Sequence, residues 1–212
     1  MSSALDEYLD DLPLIAILRG IMPEDCVAVT EALFAAGFRM VEVPLNSPQA
    51  LPSIKRIAHQ FGDRMLVGAG TVLTPDQVRQ VHESGGRLIV APNTNLPVIQ
   101  AGIEAAMITI PGAATPTEAF AGIHAGASGV KVFPAEAIAP QVLASWRAVI
   151  PDTVPLLPVG GIDSHNMADY WQAGAAGFGL GSALYKPGKS LGDISASATK
   201  LVWSATSLTK TM

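Results

Sequence analysis

Lys131 is the residue of this sequence whose setting points most directly to chemistry. It stands in Gly129-Val130-Lys131-Val132-Phe133-Pro134, with apolar residues on both sides. Burying an ammonium group in an apolar strand is costly unless the group is paired or functional, and the loss of water favours the neutral amine. A neutral amine is the nucleophile that forms a Schiff base with a carbonyl group. The alternative is a lysine that extends to solvent or forms a structural ion pair.

Glu42 lies in a similar setting, within Met40-Val41-Glu42-Val43-Pro44. A carboxylate there needs a partner or has a raised pKa, and either property suits a general acid or base. A structural ion pair is again the alternative. Glu42 and Lys131 fall on the second and the sixth of eight apolar runs, which face each other across a closed barrel. If both side chains point inward, we expect them to meet at one substrate.

Arg19 and Thr71 also follow apolar runs and are candidates for binding an anionic substrate. A guanidinium group can hold a carboxylate, such as that of a 2-keto acid, through two parallel hydrogen bonds. A surface arginine in a loop is the alternative for Arg19. Thr71 closes Gly68-Ala69-Gly70-Thr71, in which the glycines allow a ligand to approach the backbone closely.

Two glycine-rich segments predict a phosphate site. Gly160-Gly161 follows the seventh apolar run, and Gly179-Leu180-Gly181-Ser182 ends the eighth run and continues beyond it. Barrel enzymes often bind phosphate with the loops after these two strands, where backbone N–H groups are accessible. We therefore expect Gly160, Gly161, Gly181 and Ser182 to contact substrate, with tight turns as the alternative.

The histidines and the single cysteine do not form a metal-binding pattern. His59, His82 and His124 fall in or at the ends of predicted helices, and His165 stands alone after the seventh run. No pair has the spacing of metal ligands, and Cys26 adds no second thiol. The sequence therefore predicts no metal site.

The elements that would position these residues alternate regularly along the chain. Eight short apolar runs are each followed by a helical stretch, and such runs are typical of parallel strands buried on both faces. The runs are Leu14–Leu18, Met40–Val43, Met65–Ala69, Leu88–Ala91, Met107–Ile110, Gly129–Phe133, Leu156–Val159 and Ala176–Leu180. This pattern predicts a (β/α)8 TIM barrel in the α/β class. A doubly wound open sheet is the alternative, but no GxGxxG follows the first run.

The length of 212 residues suits one domain spanning residues 1–212. We expect a frayed, small and polar tail from about residue 205. The net charge of −5 argues against nucleic-acid binding, and no apolar run reaches the roughly 18 residues of a membrane helix. The acidic start of the chain lacks the pattern of a secretory signal, and one cysteine gives no sign of an oxidising compartment. The expected location is the cytoplasm.

Taken in order, these segments resemble the 2-keto-3-deoxy-6-phosphogluconate / 6-phosphogalactonate aldolase family over most of the chain. The resemblance implies a class I aldolase that acts on a phosphorylated 2-keto sugar acid, forms a homotrimer and needs no metal or other cofactor. It implies a Schiff-base lysine at Lys131 and a proton-transferring carboxylate at Glu42. The implied substrate contacts are Arg19, Thr71, Gly160, Gly161, Gly181 and Ser182. The segments that carry it are Leu18-Arg19-Gly20, Val41-Glu42-Val43, Val67–Val72, Lys131-Val132-Phe133-Pro134, Gly160-Gly161 and Gly179–Ser182.

Two departures from the gluconate branch favour the galactonate branch of this family. Gluconate-type members typically carry an arginine in the loop after the catalytic glutamate, where this chain has Pro44-Leu45-Asn46-Ser47. They also typically carry a threonine before the Gly-Gly pair, where this chain has Val159. A gluconate-specific aldolase is the nearest alternative. A phosphosugar isomerase or cyclase and a non-catalytic sugar-phosphate sensor are more distant ones, although a sensor would be expected to lack Lys131 or Glu42.

Overall fold

A computed structural model describes residues 4–209, which form an alternating α/β fold. The strands are β1 Leu14–Ile17, β2 Met40–Pro44, β3 Leu66–Gly70, β4 Leu88–Val90, β5 Ile108–Ile110, β6 Gly112–Ala113, β7 Val130–Val132, β8 Leu156–Pro158 and β9 Phe178–Leu180. The α-helices are α1 Ala4–Asp11, α2 Cys26–Ala36, α3 Ala50–Phe61, α4 Pro75–Glu83, α5 Leu96–Glu104, α6 Pro116–His124, α7 Pro140–Arg147, α8 Met167–Gln172 and α9 Leu191–Thr209. A short 3₁₀ helix spans Ala135–Ala137.

All strand pairings are parallel, and neighbouring strands are mostly neighbours in sequence. Six strands pair in the order β5-β4-β3-β2-β1-β9, and three pair in the order β6-β7-β8. An isolated parallel bridge between Val159 and Gly179 connects the end of β8 to β9. The strand order of a doubly wound sheet reverses at a switch point, whereas this order does not. The predicted parallel α/β architecture is therefore confirmed, with a curled sheet.

Two apolar clusters occupy the two faces of the sheet. The larger one lies between the strands and the surrounding helices and includes Val130 and Val132 of β7. The smaller one includes Ile15, Met40 and Leu66 from the opposite faces of their strands, together with Leu5 and Leu9 of α1, on the inner side of the curve. Since side chains alternate along a strand, Glu42 shares the inner face with Met40, and Lys131 lies opposite the outward Val130 and Val132.

Helices α4, α5 and α6 each begin at a capping residue that precedes proline or leucine. The side chains of Thr74, Asn95 and Thr115 accept hydrogen bonds from the first turns of α4, α5 and α6. At α6 the Glu118 side chain also accepts from the Thr115 backbone, which completes a capping box.

Three features differ from the sequence prediction. Helix α1 was not predicted, because its apolar positions are few; Leu5 and Leu9 anchor it to the inner cluster. The fifth apolar run continues past Pro111 as a second strand segment, β6. The expected fraying from about residue 205 is wrong for residues 205–209, because α9 runs to Thr209 and buries Ala205. Residues 210–212 of that tail lie outside the described range. Within residues 4–209, the structure contains no helix with the length and apolarity needed to span a bilayer.

Candidate active site

Lys131 lies in the middle of β7 and is only 5% exposed. Its Nζ sits 4.4 Å from the centroid of the Phe133 ring. Burial lowers the pKa of the Lys131 amine; the Glu42 carboxylate acts in the opposite direction, and the positive charge of Arg19 lowers the pKa further. The direction favours the neutral, nucleophilic amine that the sequence predicted.

Glu42 lies on β2, where it is paired in register with Ile17 of β1 and Gly68 of β3. Its carboxyl group is buried, and no residue in the described part of the chain donates a hydrogen bond to Oε2. Burial raises the pKa of Glu42 to about 7, against the lowering effect of the Lys131 and Arg19 charges. A carboxyl group with a pKa near neutrality can take up and release a proton in one catalytic cycle.

Glu42 and Lys131 influence each other without touching. Each appears among the causes of the other's pKa shift, yet within residues 4–209 they form no direct ion pair. The pKa of Glu42 is raised and that of Lys131 is lowered, so both groups shift toward their neutral forms.

The end of β3 shapes the space around Glu42. Gly70 lies against the Glu42 carboxylate so closely that a Cβ atom there would overlap its oxygens. The next residue, Thr71, is half-buried and has a φ of 57°, an uncommon conformation for a β-branched residue. Gly70 thus accommodates the Glu42 side chain at this position, and Thr71 follows in a constrained backbone conformation.

A cavity of about 460 Å³ opens beside these buried groups. It contains five of the predicted substrate contacts, namely Arg19, Gly160, Gly161, Gly181 and Ser182. Lys131, Glu42 and Thr71 are not part of its wall. Phe133, whose ring contacts the Lys131 amine, is part of it, so the cavity adjoins the buried pair.

The glycine pair after β8 has backbone angles that suit an anion-binding loop. Gly160 and Gly161 have φ values of 109° and 64°, which L side chains rarely adopt. At the other loop, a Cβ atom on Gly181 would meet nothing within 4 Å, so its backbone is open to the cavity.

Three polar side chains in the same cavity were not predicted from the sequence. Glu136, Tyr185 and Lys186 line it together with the predicted residues. Lys186 adds a second positive charge beside Arg19, and the Glu136 carboxylate packs against Gly160 and Gly161. All three lie in loops or short helical turns just past strand ends, and that position was the signal available in the sequence.

The loop after β2 fixes the loop after β1. The Arg19 Nη1 atom donates a hydrogen bond to Asn46 Oδ1 at 2.8 Å, and the Gly20 N–H donates to Ser47 Oγ at 2.9 Å. Arg19 thus lies on the wall that carries the glycine loops, while its charge still acts on Glu42 and Lys131.

A larger depression, of about 630 Å³, lies elsewhere and contains none of the predicted site residues. It is an open surface feature beside α3, lined by side chains such as Leu51, Lys55 and His59. His82 and His124 likewise lie on helices α4 and α6. Among residues 4–209, no three His, Cys, Asp or Glu side chains gather as a possible metal-ligand set.

Comparison with known proteins agrees with this geometry. The family model for the aldolases, described as KDPG and KHG aldolase, matches residues 5–195. The chain is 48% identical over 182 residues to a probable 2-dehydro-3-deoxy-6-phosphogalactonate aldolase of Rhizobium meliloti, covering 86% of each chain. It is 46% identical over 185 residues to the 2-dehydro-3-deoxy-6-phosphogalactonate aldolase of Escherichia coli, covering 87% of this chain and 90% of the other.

Solved structures give the same result. A structure described as native KDPGal superposes with a TM-score of 0.92 at 44% identity, covering 94% of this chain and 97% of the other. The KDPG aldolase of Legionella pneumophila, with pyruvate captured as a covalent carbinolamine intermediate, superposes with a TM-score of 0.84 at 29% identity. That alignment covers 94% of this chain and 98% of the other.

These matches define the protein first by class: it is an aldolase, a lyase that acts on a carbon–carbon bond. More particularly, the chain belongs to the KDPG and KHG aldolase family. The family predicted from the sequence motifs is therefore confirmed.

Proposed function

We propose that this protein is a class I aldolase that cleaves 2-dehydro-3-deoxy-6-phosphogalactonate to pyruvate and D-glyceraldehyde 3-phosphate. The observation that carries the proposal is the pair of buried groups, Lys131 and Glu42, whose pKa values are shifted in opposite directions on the inner face of the sheet. Schiff-base cleavage requires at least a neutral amine and, near it, a carboxyl group that titrates near neutrality.

Lys131 is the nucleophile in this mechanism. Its neutral amine adds to the C2 ketone of the substrate to give a carbinolamine, and loss of water gives a protonated Schiff base. The positive nitrogen then accepts the electron pair of the C3–C4 bond when that bond breaks. The lowered pKa of Lys131 supports this role, because a larger fraction of the amine is neutral at physiological pH.

Glu42 moves the protons. As a carboxylate it takes the proton of the C4 hydroxyl, through a bridging water, and C4 leaves as the aldehyde of glyceraldehyde 3-phosphate. The protonated Glu42 then supplies a proton to C3 of the enamine, and hydrolysis of the resulting Schiff base releases pyruvate and free Lys131. The Glu42 Oε2 atom accepts no hydrogen bond from the described residues, which supports a water as its partner.

The two glycine loops and Arg19 bind the anionic groups. The backbone N–H groups of Gly160, Gly161 and Gly181 and the Ser182 hydroxyl suit a phosphate. Arg19, on the same wall, provides the positive charge that a substrate with both a carboxylate and a phosphate group requires. Thr71, which directly follows the Gly70 that contacts Glu42, offers a hydroxyl to the substrate.

The galactonate form is the proposed substrate because of Val159 and because of the two relatives that carry that name. Val159 is buried at 8% exposure and presents methyl groups to the cavity. A wall that offers no hydrogen bond discriminates weakly between hydroxyl configurations. The gluconate epimer is the second candidate substrate, because the same wall would tolerate it.

We also propose that the strands close into a complete (β/α)8 barrel forming one domain. Supporting observations are the bridge from Val159 to Gly179 and the single residue, Pro111, that separates β5 from β6. Family resemblance supports a homotrimer. A phosphorylated substrate does not cross membranes, which supports a cytoplasmic location.

Borohydride trapping tests the proposed nucleophile. Incubation with pyruvate and borohydride, in the presence of EDTA, should add one reduced pyruvyl group to Lys131, located by peptide mass spectrometry. Lys131→Met should remove the adduct. Lys186 is the matched control lysine, because it lines the cavity but is exposed. The proposal is contradicted if the adduct forms on Lys186 alone or persists in Lys131→Met. It is also contradicted if trapping requires an added divalent ion. An isomerase would trap no pyruvate.

A further inference from the structure

Glu136 is an acidic residue inside a cavity that otherwise suits anions. Its carboxylate lies against Gly160 and Gly161, in the space that a Cβ atom on either glycine would need. Arg19 and Lys186 line the same cavity, yet within the described residues neither forms an ion pair or hydrogen bond with Glu136. The carboxylate is exposed and is therefore hydrated while the cavity is empty.

The backbone that carries Glu136 is held firmly. Glu136 is the central residue of the 3₁₀ helix Ala135–Ala137, and the Ala135 N–H donates to the Val159 carbonyl at 2.9 Å. The hydroxyl of the buried Tyr170 lies 2.9 and 3.1 Å from the carbonyl oxygens of Ala135 and Ile138, which share its one donor hydrogen. The carboxylate is thus presented to the cavity from a segment fixed at both ends, next to Val159.

A ligand that fills the cavity removes water from Glu136, and the carboxylate then needs a hydrogen-bond donor. Leaving a charged acceptor without a partner is costly. A phosphate dianion has acceptors only and cannot supply the donor. A hydroxyl group can, and in the proposed substrate the C5 hydroxyl is attached to the carbon adjacent to the one that bears the phosphate.

We propose that Glu136 accepts a hydrogen bond from the C5 hydroxyl of the substrate and selects its configuration. This proposal rests on the proposed aldolase function. In this proposal Glu136 provides the hydrogen-bond acceptor for a hydroxyl group on the cavity wall where Val159 offers only methyl groups. Glu136 takes no part in bond cleavage, so its loss should leave the reaction of pyruvate with Lys131 unchanged.

The contact can be tested in the condensation direction, in which pyruvate and glyceraldehyde 3-phosphate combine. The C2 hydroxyl of glyceraldehyde 3-phosphate becomes the C5 hydroxyl of the product. The rate of condensation with pyruvate is measured for the D and the L enantiomers of that aldehyde, which differ only at this hydroxyl. Glu136→Ala should lower kcat/KM for the D form by about tenfold, as expected for loss of a hydrogen bond to a charged group. The value for the L form and the KM for pyruvate should stay within about twofold.

Two further variants sharpen the test. Glu136→Gln keeps one acceptor oxygen and should recover part of the D preference. Glu31→Ala removes an exposed carboxylate from α2 and should change neither enantiomer. Borohydride trapping with pyruvate verifies that each variant is folded and able to form the Schiff base.

Three results would overturn the proposal. An unchanged D/L ratio in an active Glu136→Ala variant removes Glu136 from recognition while leaving the aldolase function intact. An equal gain for both enantiomers, with tighter binding of inorganic phosphate, would show that Glu136 only competes with the phosphate group. If the wild-type protein traps no pyruvate and condenses neither enantiomer, the proposed function fails, and the role of Glu136 fails with it.

Discussion

Gly70 lies directly against the carboxylate of Glu42, in space that any side chain at position 70 would occupy. Glu42 and Gly70 lie on the adjacent strands β2 and β3, where Pro44 is paired in register with Gly70. The position of the proposed proton carrier therefore depends on the absence of a side chain on the neighbouring strand.

Gly70→Ala should displace Glu42 and slow catalysis. The added methyl group overlaps the carboxylate, and overpacking of a buried site costs about 1–3 kcal/mol of stability. We expect kcat for cleavage to fall by roughly tenfold or more, because a misplaced proton carrier is inefficient, while pyruvate trapping at Lys131 persists. Gly192→Ala is the control, since a Cβ there meets only Ser190 Oγ at 3.8 Å. An active Gly70→Ala variant with unchanged kcat would show that Glu42 does not need this position.

The activity should rise with pH through about 7. The proposed base form of Glu42 is the carboxylate, and burial raises the pKa of Glu42 to about 7, so protonation below that pH removes the base. A plot of log kcat/KM against pH for the wild-type protein should show this acidic limb.

The Glu42→Gln variant tests whether Glu42 or Lys131 causes the acidic limb of the pH profile. The rate should fall roughly 100- to 10,000-fold, the usual contribution of a general acid–base group. Because the Glu42 charge raises the pKa of Lys131, its removal should move the remaining acidic limb to lower pH. The control is Glu31→Gln, on the exposed side of α2. A limb that stays near pH 7 in Glu42→Gln would mean that another group titrates there.

Val159→Thr should shift substrate preference toward the gluconate form. Threonine has nearly the shape of valine but adds one donor and one acceptor to the cavity wall. One additional hydrogen bond corresponds to roughly 1 kcal/mol, or about fivefold in the ratio of kcat/KM values. The measurement uses both stereochemically pure substrates, and Val142→Thr on the exposed face of α7 is the control. An unchanged ratio would exclude Val159 as the selector, and a wild-type preference for the gluconate form would overturn the proposed substrate.

The local chemistry of the chain was enough to predict the repeating α/β pattern and the family. Buried parallel strands are continuous apolar runs, so a lysine or a glutamate within one is conspicuous, as at Lys131 and Glu42. The caps at Thr74 and Thr115 are local in the same sense, because a cap is a contact within one turn. Helix α1 and the last turn of α9 escaped prediction, since their stability comes from burying Leu5, Leu9 and Ala205 against distant parts of the chain.

The sequence by itself determined which residues are unusual: an amine and a carboxyl group in apolar strands, and glycine-rich segments at the ends of the last two strands. Only the tertiary structure decided what surrounds them. It placed Gly70 against Glu42, Glu136 against Gly160 and Gly161, and Arg19 beside the glycine loops with Asn46 as its hydrogen-bond partner. Residue type and local spacing act within a few residues along the chain. Desolvation, steric exclusion and the charge that one side chain feels from another depend on pairs brought together by strand register and sheet curvature.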